Sequence, residues 1–244
     1  VIVHERMPTV ARKFLMAGRG GLNLTHSEPF ERFISRYGDA SERLRPMLEA
    51  FSPDSLRAWA DGLGAETFVG SSGRVFPKAM KASPLLRAWL KRLRAQGVEI
   101  RTNARWRPDN VLTGGSPTLL ALGGASWPRL GSDGAWFDPL AARGVAMTNF
   151  QPANVGFNVA WSDHIRTRFA GQALKNVAIR HGADGARGEA MITGYGIEGG
   201  AIYTLSGQLR EAAPAILSID LRPDLRHAQI AANIAHAKLS DSLS

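Results

Sequence analysis

A helix followed at once by a strand is the feature that most constrains the fold of this chain. The segment SPLLRAWLKRLRAQGVEIRT, residues 83–102, begins with Ser83 and Pro84, a common start for a helix. Its apolar residues recur at helical spacing and share one face: Leu85, Leu86, Trp89, Leu90 and Leu93. Gly97 then ends the helix just before the strand VEIRT. A crossover helix that buries one stripe and leads into a strand is typical of parallel sheets, so we expect an α/β fold.

Three further strand regions are expected in the first half of the chain. Val1 to Glu5 is rich in β-branched residues and predicts a short buried strand. Thr67 to Pro77 predicts a hairpin around a Gly-Ser-Ser-Gly turn. Thr118 to Ser126 is a continuous apolar run that ends in two glycines, which predicts a strand buried on both faces.

Three helices are expected between the first strand and the hairpin. Glu31 to Tyr37 and Ser41 to Phe51 have helical spacing, and Pro46 is expected to kink or split the second of them. The segment SPDSLRAWADGLG predicts a third helix, in which Ser52 is the N-cap and Pro53 occupies the first turn.

The pattern changes from about Phe150 onward. Short apolar runs, VGFNVAW, NVAIRH, EAMITGY and AILSIDL, are separated by Gly, Asp and Pro, which predicts strands. The last stretch, His227 to Leu239, has helical composition. We therefore predict two domains, residues 1–149 and residues 150–244, of which the second is β-rich with the start of a helical part.

The glycine-rich stretch AGRGGLNLTH, residues 17–26, raises the question of phosphate binding. A Walker A loop needs a lysine and a hydroxyl after its last glycine, but Leu22 and Asn23 follow Gly21 here. The dinucleotide fingerprint has the spacing G-x-G-x-x-G. After Gly18 and Gly20 the position of its third glycine is occupied by Asn23. Both common phosphate loops are excluded for this stretch.

Glu5 offers a second route to a nucleotide. In nucleotide-binding βαβ units, an acid at the end of the second strand bonds the ribose, about 20 residues after the glycine fingerprint. If Glu5 is that acid, the fingerprint precedes residue 1. The alternative is that Glu5 is only a solvated strand end.

Several segments together resemble one known family. HERMPTVARKFLMAGRGGLNLTHSE resembles the opening block of the HI0933-like flavoproteins, also described as aminoacetone-oxidase-like FAD-binding proteins. In that block a strand-end acid is followed by K-x-x-x-(S/A)-G-x-G-(R/G)-x-N-x-(T/S), and the positions that match are Lys13, Ala17, Gly18, Gly20, Gly21, Asn23 and Thr25. LALGGASWPRLGSDGAWFDPLAARGV is similar to the second flavin motif, and GEAMITGYGIEGGAIYTLS to part of an inserted domain. The resemblance implies an α/β fold in which a Rossmann-like FAD-binding domain is interrupted by a β-rich insert.

The same resemblance implies roles for residues near the first strand. Glu5 would hold the adenosine ribose, and Arg6 would lie near the adenine or offer charge to the pyrophosphate. Lys13 and the glycine-rich segment would approach the pyrophosphate, the ribityl chain and the flavin; the segment comprises Gly18, Arg19, Gly20, Gly21 and Asn23. As alternatives, Arg19 is a solvated loop residue and Asn23 caps its own turn.

Two more regions receive roles from the resemblance. Trp106 would flank the adenine, although it is equally interpretable as a packing residue. Gly123 and Gly124 would let the backbone pass close to the cofactor, where a side chain would clash. The resemblance further implies that the chain is the middle of a larger flavoprotein, with the fingerprint before Val1 and a flavin-contacting block after Ser244. On its own the chain is then expected to bind FAD weakly or not at all.

Composition narrows the chemistry and the compartment. With no cysteine, thiolate catalysis and cysteine-ligated metals are excluded, no metal site is predicted, and the chain fits a reducing compartment. No apolar run reaches the length of a membrane span, so we expect a cytoplasmic protein without a membrane partner. The net charge is +9, but the basic residues are scattered, which argues against a nucleic-acid surface.

These observations predict an FAD-dependent oxidoreductase that acts on a small organic substrate, with NAD(P)H as one candidate electron donor. His26, Tyr195 and Glu198 adjoin family-like motifs and are the catalytic candidates, each with an ordinary structural interpretation; no catalytic residue is assigned. The rivals are an RNA-associated flavoprotein and a non-catalytic fragment or binding module. The substrate and the oligomeric state are left open.

Overall fold

A computed structural model of the protein describes residues 1–17, 21–106, 116–226 and 228–234. The chain divides into two compact units, Val1–Phe150 and Gln151–Ser244, and each is described by itself. In the first unit the strands are β1 (Ile2–His4), β2 (Thr25–His26), β3 (Thr67–Val69), β4 (Arg74–Pro77) and β5 (Glu99–Arg101). The helices are α1 (Arg12–Ala17), α2 (Phe30–Ser35), α3 (Ser41–Ala50), α4 (Pro53–Asp61), α5 (Ala82–Ala95) and α6 (Phe137–Ala141). Gly38–Ala40 and Pro128–Leu130 form single 3₁₀ turns.

β1 and β5 form a parallel pair, with Ile2 opposite Glu99 and His4 opposite Arg101. This pairing, with α5 leading directly into β5, confirms the predicted α/β arrangement. The prediction that β1 is buried is wrong: its three residues are exposed, and Ile2 retains 49% of its accessible surface. A strand in a parallel sheet is buried only where other elements cover its faces, and the described residues leave β1 uncovered.

A second, antiparallel sheet has the order β2-β4-β3. β3 and β4 are the two strands of the predicted hairpin, in which Gly73 donates its N–H to the carbonyl of Gly70 at 2.9 Å. Gly73 has a φ of +79°, a left-handed conformation that glycine adopts without strain. The hairpin prediction is therefore confirmed.

A small apolar core joins α1, α4 and α5. Its buried members are Leu22, Ala60, Ala82 and Leu85, and Phe14, Leu24, Trp59, Leu63 and Ala65 pack around them. The Trp59 and Trp89 rings meet edge to face with centroids 5.2 Å apart, which is a favoured aromatic geometry. This packing fixes α1 against α5 and so sets where the residues just before α1 lie.

The helices that precede this core follow their sequence signals with one exception. Ser52 caps α4 as expected, since its hydroxyl accepts the N–H of Ser55 at 3.1 Å. The prediction that Pro46 splits the second helix is wrong, because α3 runs unbroken over Ser41–Ala50. Proline removes one N–H donor, and the partner carbonyl of Glu42 lies in the first turn of an exposed helix, where water can bond it.

The apolar segment Thr118 to Ser126 is not a strand, contrary to prediction. Leu119 is 90% exposed. A strand needs a hydrogen-bonded neighbour, and none of the described residues forms a ladder with this segment. The apolar composition of the segment predicted a strand, but no strand of the described residues pairs with it.

The second unit is built around a five-stranded antiparallel sheet of order β10-β7-β8-β9-β6. The strands are β6 (Phe157–Asn158), β7 (Ala173–His181), β8 (Asp184–Ile192), β9 (Gly196–Glu198) and β10 (Ser218–Asp220). The helices are α7 (Asp163–Phe169), α8 (Gly200–Thr204) and α9 (Ser206–Glu211). The core comprises Val177, Ile179, Ala190, Ile197, Ala201, Ile202, Leu205 and Leu209, so α8 and α9 cover one sheet face.

The predicted strands of this second half are present. Residues 228–234 are helical, as the composition of the last stretch predicts, whereas residue 227 and residues 235–244 lie outside the described residues.

Candidate functional site

A cleft of about 590 Å³ opens in the first unit at the carboxyl end of β1. Its wall is formed by the end of β1, by α1, by residues 104–106, by residues 121–123 and by the turn before α6. The polar and aromatic lining residues are His4, Glu5, Arg6, Arg12, Lys13, Phe14, Arg105, Trp106, Ser132, Asp133 and Trp136. The carboxyl ends of parallel strands are where α/β folds bind ligands, so this cleft is the candidate site.

Glu5 lies at the end of β1 and is held by backbone hydrogen bonds on both sides. Its N–H donates to the carbonyl of Arg101 at 2.8 Å, and its carbonyl accepts the N–H of Ala104 at 2.9 Å. Carboxylate oxygen Oε1 accepts the N–H of Met7 at 2.8 Å. Within the described part of the chain, Oε2 makes no hydrogen bond, so it can accept one from a ligand.

Arg6 follows Glu5 and is already paired. Its guanidinium donates to Asp133 Oδ2 at 2.6 Å, and both side chains are partly buried. The Arg6 guanidinium, together with the N–H of Ala135, holds the pKa of Asp133 below its ordinary value. The charge of Arg6 is thereby neutralised, which leaves it less to offer to a phosphate than its sequence position indicates.

Lys13 reaches the cleft from α1, and its partners are uncharged. Its ammonium donates to Ser126 Oγ at 2.8 Å and to Ser132 Oγ at 3.4 Å. The hydroxyl of Ser132 also accepts the N–H of Gly124 at 3.1 Å. No acidic side chain of the described residues pairs with Lys13, so its charge is not balanced by an ion pair.

Gly123 and Gly124 form the turn opposite Lys13. Gly123 has a φ of +76°, and a Cβ atom there would lie 3.3 Å from Ser132 Oγ. Its carbonyl accepts the indole N–H of Trp136 at 2.9 Å, and the carbonyl of Gly124 accepts the N–H of Gly134 at 3.0 Å. The turn is thus fixed by the segment that precedes α6.

Trp106 lines the same cleft. Its indole Nε1 is buried and has no hydrogen-bond partner among the described residues. Arg12 and Arg105 also line the cleft and form no ion pair within the described ranges.

The structure describes only part of the glycine-rich segment. Gly18, Arg19 and Gly20 lie outside the described residues. Gly21 has a φ of +101° and packs against Met80, so close that a Cβ atom would lie 2.6 Å from Cε. Asn23 is exposed, and neither it nor Gly21 is part of the cleft wall.

The structure brings together Glu5, Arg6, Lys13, Trp106 and Gly123 on the wall of one cleft. Gly124 touches the cleft through its bond to Ser132. Sequence reasoning missed several residues of this wall, among them His4, Arg12, Arg105, Ser132, Asp133 and Trp136. A signal for the last three was present, since they belong to the motif GGASWPRLGSDGAW that begins with Gly123.

The catalytic candidates have local structural partners. Nε2 of His26 lies 3.0 Å from the carbonyl of Ser72, and its Nδ1 accepts the N–H of Glu28 at 3.2 Å. In the second unit, the Tyr195 hydroxyl donates to Glu198 Oε2 at 2.5 Å. This bond to a carboxylate raises the pKa of Tyr195 above its ordinary value.

Among the described residues, no three His, Asp or Glu side chains are grouped so that they could hold a metal ion. Across the same ranges, no helix combines the length and the apolar composition needed to cross a membrane.

Comparisons with known proteins place the chain in a family. The model of the HI0933-like protein Rossmann domain matches residues 1–208. The chain is also similar to a 3-dehydro-bile acid delta(4,6)-reductase of Clostridium scindens, at 25% identity over 248 residues. That alignment covers 94% of this chain and 60% of the relative, so the chain spans about three fifths of the relative's length. The match confirms the Rossmann-like fold that the parallel β1–β5 pair indicates, and the chain belongs to the HI0933-like family.

Proposed function

We propose that the intact protein is an FAD-dependent oxidoreductase that acts on a small organic substrate. Membership in the HI0933-like family and similarity to a reductase support the oxidoreductase class. We further propose that residues 1–149 form the FAD-binding domain and residues 150–244 an inserted domain. NAD(P)H is the electron donor that we propose to test first.

The observation that carries this proposal is the set of groups around the cleft at the end of β1. The free oxygen of Glu5 can accept a hydrogen bond from a ribose hydroxyl, as acids at this position do in nucleotide-binding folds. Lys13 lies on the same wall, and its ammonium forms no ion pair with the described residues. Such an ammonium can bind a pyrophosphate.

The protein's own groups would bind and orient the cofactor. When bound, FAD would supply the isoalloxazine ring, which accepts or donates a hydride; no amino-acid side chain can do this. Gly123 contributes backbone without a side chain to the wall, and Glu5 and Lys13 would determine the direction in which the nucleotide lies. Arg6, tied to Asp133, would shape the wall rather than contribute charge.

The first experiment is to purify the intact protein and record its visible spectrum. We expect a yellow protein that releases FAD on denaturation. A colourless protein that also fails to take up FAD on reconstitution would contradict the proposal.

A matched pair of variants tests the placement of the cofactor. Glu5→Gln removes the charge that would accept the ribose hydroxyl, and we expect it to weaken FAD binding about tenfold. Glu99→Gln is the control. Glu99 lies on the neighbouring strand, is exposed, accepts a hydrogen bond from Arg101 and does not line the cleft. Equal effects of the two substitutions would show that Glu5 has no specific role.

The substrate is to be found by following bleaching or reoxidation of the flavin against a metabolite panel. The panel starts with 3-dehydro bile acids, the class in the name of the relative, because that protein is a reductase of the same family. NADH and NADPH are compared as donors in the same assay. No flavin reduction by either nicotinamide would refute that part of the proposal.

A second candidate function is suggested by the charge of α5. This helix carries Arg87, Lys91, Arg92 and Arg94 and no acidic residue. Within the described ranges none of the four forms an ion pair, so the helix is an exposed cationic surface of the kind that phosphate backbones bind. Salt-dependent retention of the flavoprotein on RNA would support an RNA-associated enzyme, and passage through the column at low salt would refute it.

A further inference from the structure

The hydroxyl of Ser132 is a buried polar group that contacts two parts of the cleft wall. Ser132 is 5% exposed, and Ser206 is the other buried polar residue in the part of the chain that the structure describes. Oγ of Ser132 accepts hydrogen bonds from the N–H of Gly124 and from the ammonium of Lys13. Because a buried hydroxyl is costly unless it is bonded, both bonds matter for the stability of this position.

The backbone around Ser132 holds this hydroxyl in place. The N–H of Ser132 donates to the carbonyl of Trp127 at 3.1 Å, and its carbonyl accepts the N–H of Trp127 at 3.0 Å. Gly123 leaves the space that the hydroxyl occupies, since a Cβ atom would approach Oγ to 3.3 Å. The position of Oγ is therefore determined by the turn and not by a flexible side chain.

Ser132 and Asp133 are consecutive residues that hold two different cations. Asp133 binds Arg6 and cancels its charge. Ser132 binds Lys13 through a neutral hydroxyl, so the ammonium keeps its charge and its remaining donor capacity. The difference leaves Lys13 more available than Arg6 to an anionic ligand.

We propose that Ser132 is a positioning residue, which holds the Lys13 ammonium where it binds the phosphate groups of a dinucleotide and fixes the Gly123–Gly124 turn beside it through the N–H of Gly124. This inference rests on the proposed function, because the ligand is the FAD of that proposal. Ser132 acts through Lys13 and Gly124 and does not itself contact the reacting atoms.

The test compares ADP with adenosine as probes, using the intact protein stripped of cofactor and isothermal titration calorimetry. Ser132→Ala is expected to weaken ADP binding about tenfold, because Lys13 keeps only its exposed partner Ser126 and the turn loses its bond to the Gly124 N–H, while adenosine binding changes little. Ser132→Thr keeps the hydroxyl and is expected to restore ADP binding. The salt dependence of ADP binding should also become shallower in Ser132→Ala, as it does when a phosphate contact is weakened.

Two further variants control for loss of a hydroxyl. Ser206→Ala removes the other buried hydroxyl, which accepts the N–H of Val155 in the second unit, and is expected to leave the binding of both probes unchanged. Ser126→Ala removes the second, exposed partner of Lys13 and is expected to have a smaller effect than Ser132→Ala, because water can replace an exposed hydroxyl.

Amide hydrogen exchange in the cofactor-free protein gives a readout that needs no ligand. We expect faster exchange at Gly124 in Ser132→Ala, but not in Ser126→Ala or Ser206→Ala.

The outcomes separate the two proposals. Wild-type protein that binds neither FAD nor ADP refutes the proposed function and this inference together. Wild-type protein that binds ADP, with a Ser132→Ala variant that binds it equally well or loses ADP and adenosine to the same extent, refutes the inference alone. Unchanged exchange at Gly124 also refutes it.

Discussion

Replacing Gly123 with alanine is expected to destabilise the first unit, whereas the same change at Gly124 is not. Gly123 has a φ of +76°, a region in which a side chain costs roughly 1–2 kcal/mol. The added Cβ would also lie 3.3 Å from Ser132 Oγ, so the buried hydroxyl would have to move by a few tenths of an ångström. We therefore expect Gly123→Ala to lower the free energy of unfolding by about 1–2 kcal/mol.

Gly124 is the matched control because it is adjacent in sequence and lies in the same turn. Its φ is not positive, and a Cβ atom there would be 4.0 Å from Ser132 Oγ, an ordinary contact. We expect Gly124→Ala to change the free energy of unfolding by no more than about 0.5 kcal/mol. If the cofactor passes close to this backbone, Gly124→Ala would weaken FAD binding without lowering stability.

The assay is urea denaturation of the cofactor-free protein, followed by tryptophan fluorescence. Five of the six tryptophans lie in Val1–Phe150, so the signal reports mainly on the unit that contains the turn. With a slope of about 2 kcal/mol/M, the expected loss moves the midpoint of Gly123→Ala down by about 0.5–1 M urea. Equal midpoints for the two variants would refute the assignment of strain to Gly123.

Three further predictions concern other contacts. Glu28 is 5% exposed and its pKa is held low by the bond to Arg36, so Glu28→Gln should lower the free energy of unfolding by about 1–2 kcal/mol at pH 7. This contribution is present above the ordinary pKa of 4.5 and is lost as pH falls through the lowered pKa, so denaturation curves of variant and wild type should converge in acid. Asp133→Asn leaves the charge of Arg6 unneutralised and should steepen the salt dependence of ADP binding, and calorimetry at two salt concentrations that gave the same slope for both proteins would contradict this. Ile202 is fully buried in the core of the second unit, and Ile202→Ala should cost about 2–5 kcal/mol in the same urea assay; a loss below about 1 kcal/mol would mean that this core is loosely packed.

Local sequence signals were sufficient to predict features whose geometry depends on residues adjacent in the chain. The cap at Ser52, the hairpin turn that ends at Gly73, and the end of α5 before Gly97 are each set by backbone geometry within a few residues. These were predicted correctly because a short window contains their physical cause.

Burial and pairing were not predictable in this way. The same apolar composition that marks Val1 to Glu5 and Thr118 to Ser126 as strands gave one exposed strand and one segment without a ladder. Whether a strand is buried or paired depends on elements distant in sequence, which composition does not reveal.

The candidate site also combines features that are predictable from the sequence with features that depend on the fold. The sequence by itself was enough for the family and the α/β class, because these follow from residue types and an ordered set of motifs. Only the tertiary structure decided that Arg6 pairs with Asp133, whereas Lys13 contacts the uncharged hydroxyls of Ser126 and Ser132. The partners in these contacts lie more than 100 residues apart in the chain, and the free energy of a charge depends on what the fold places beside it.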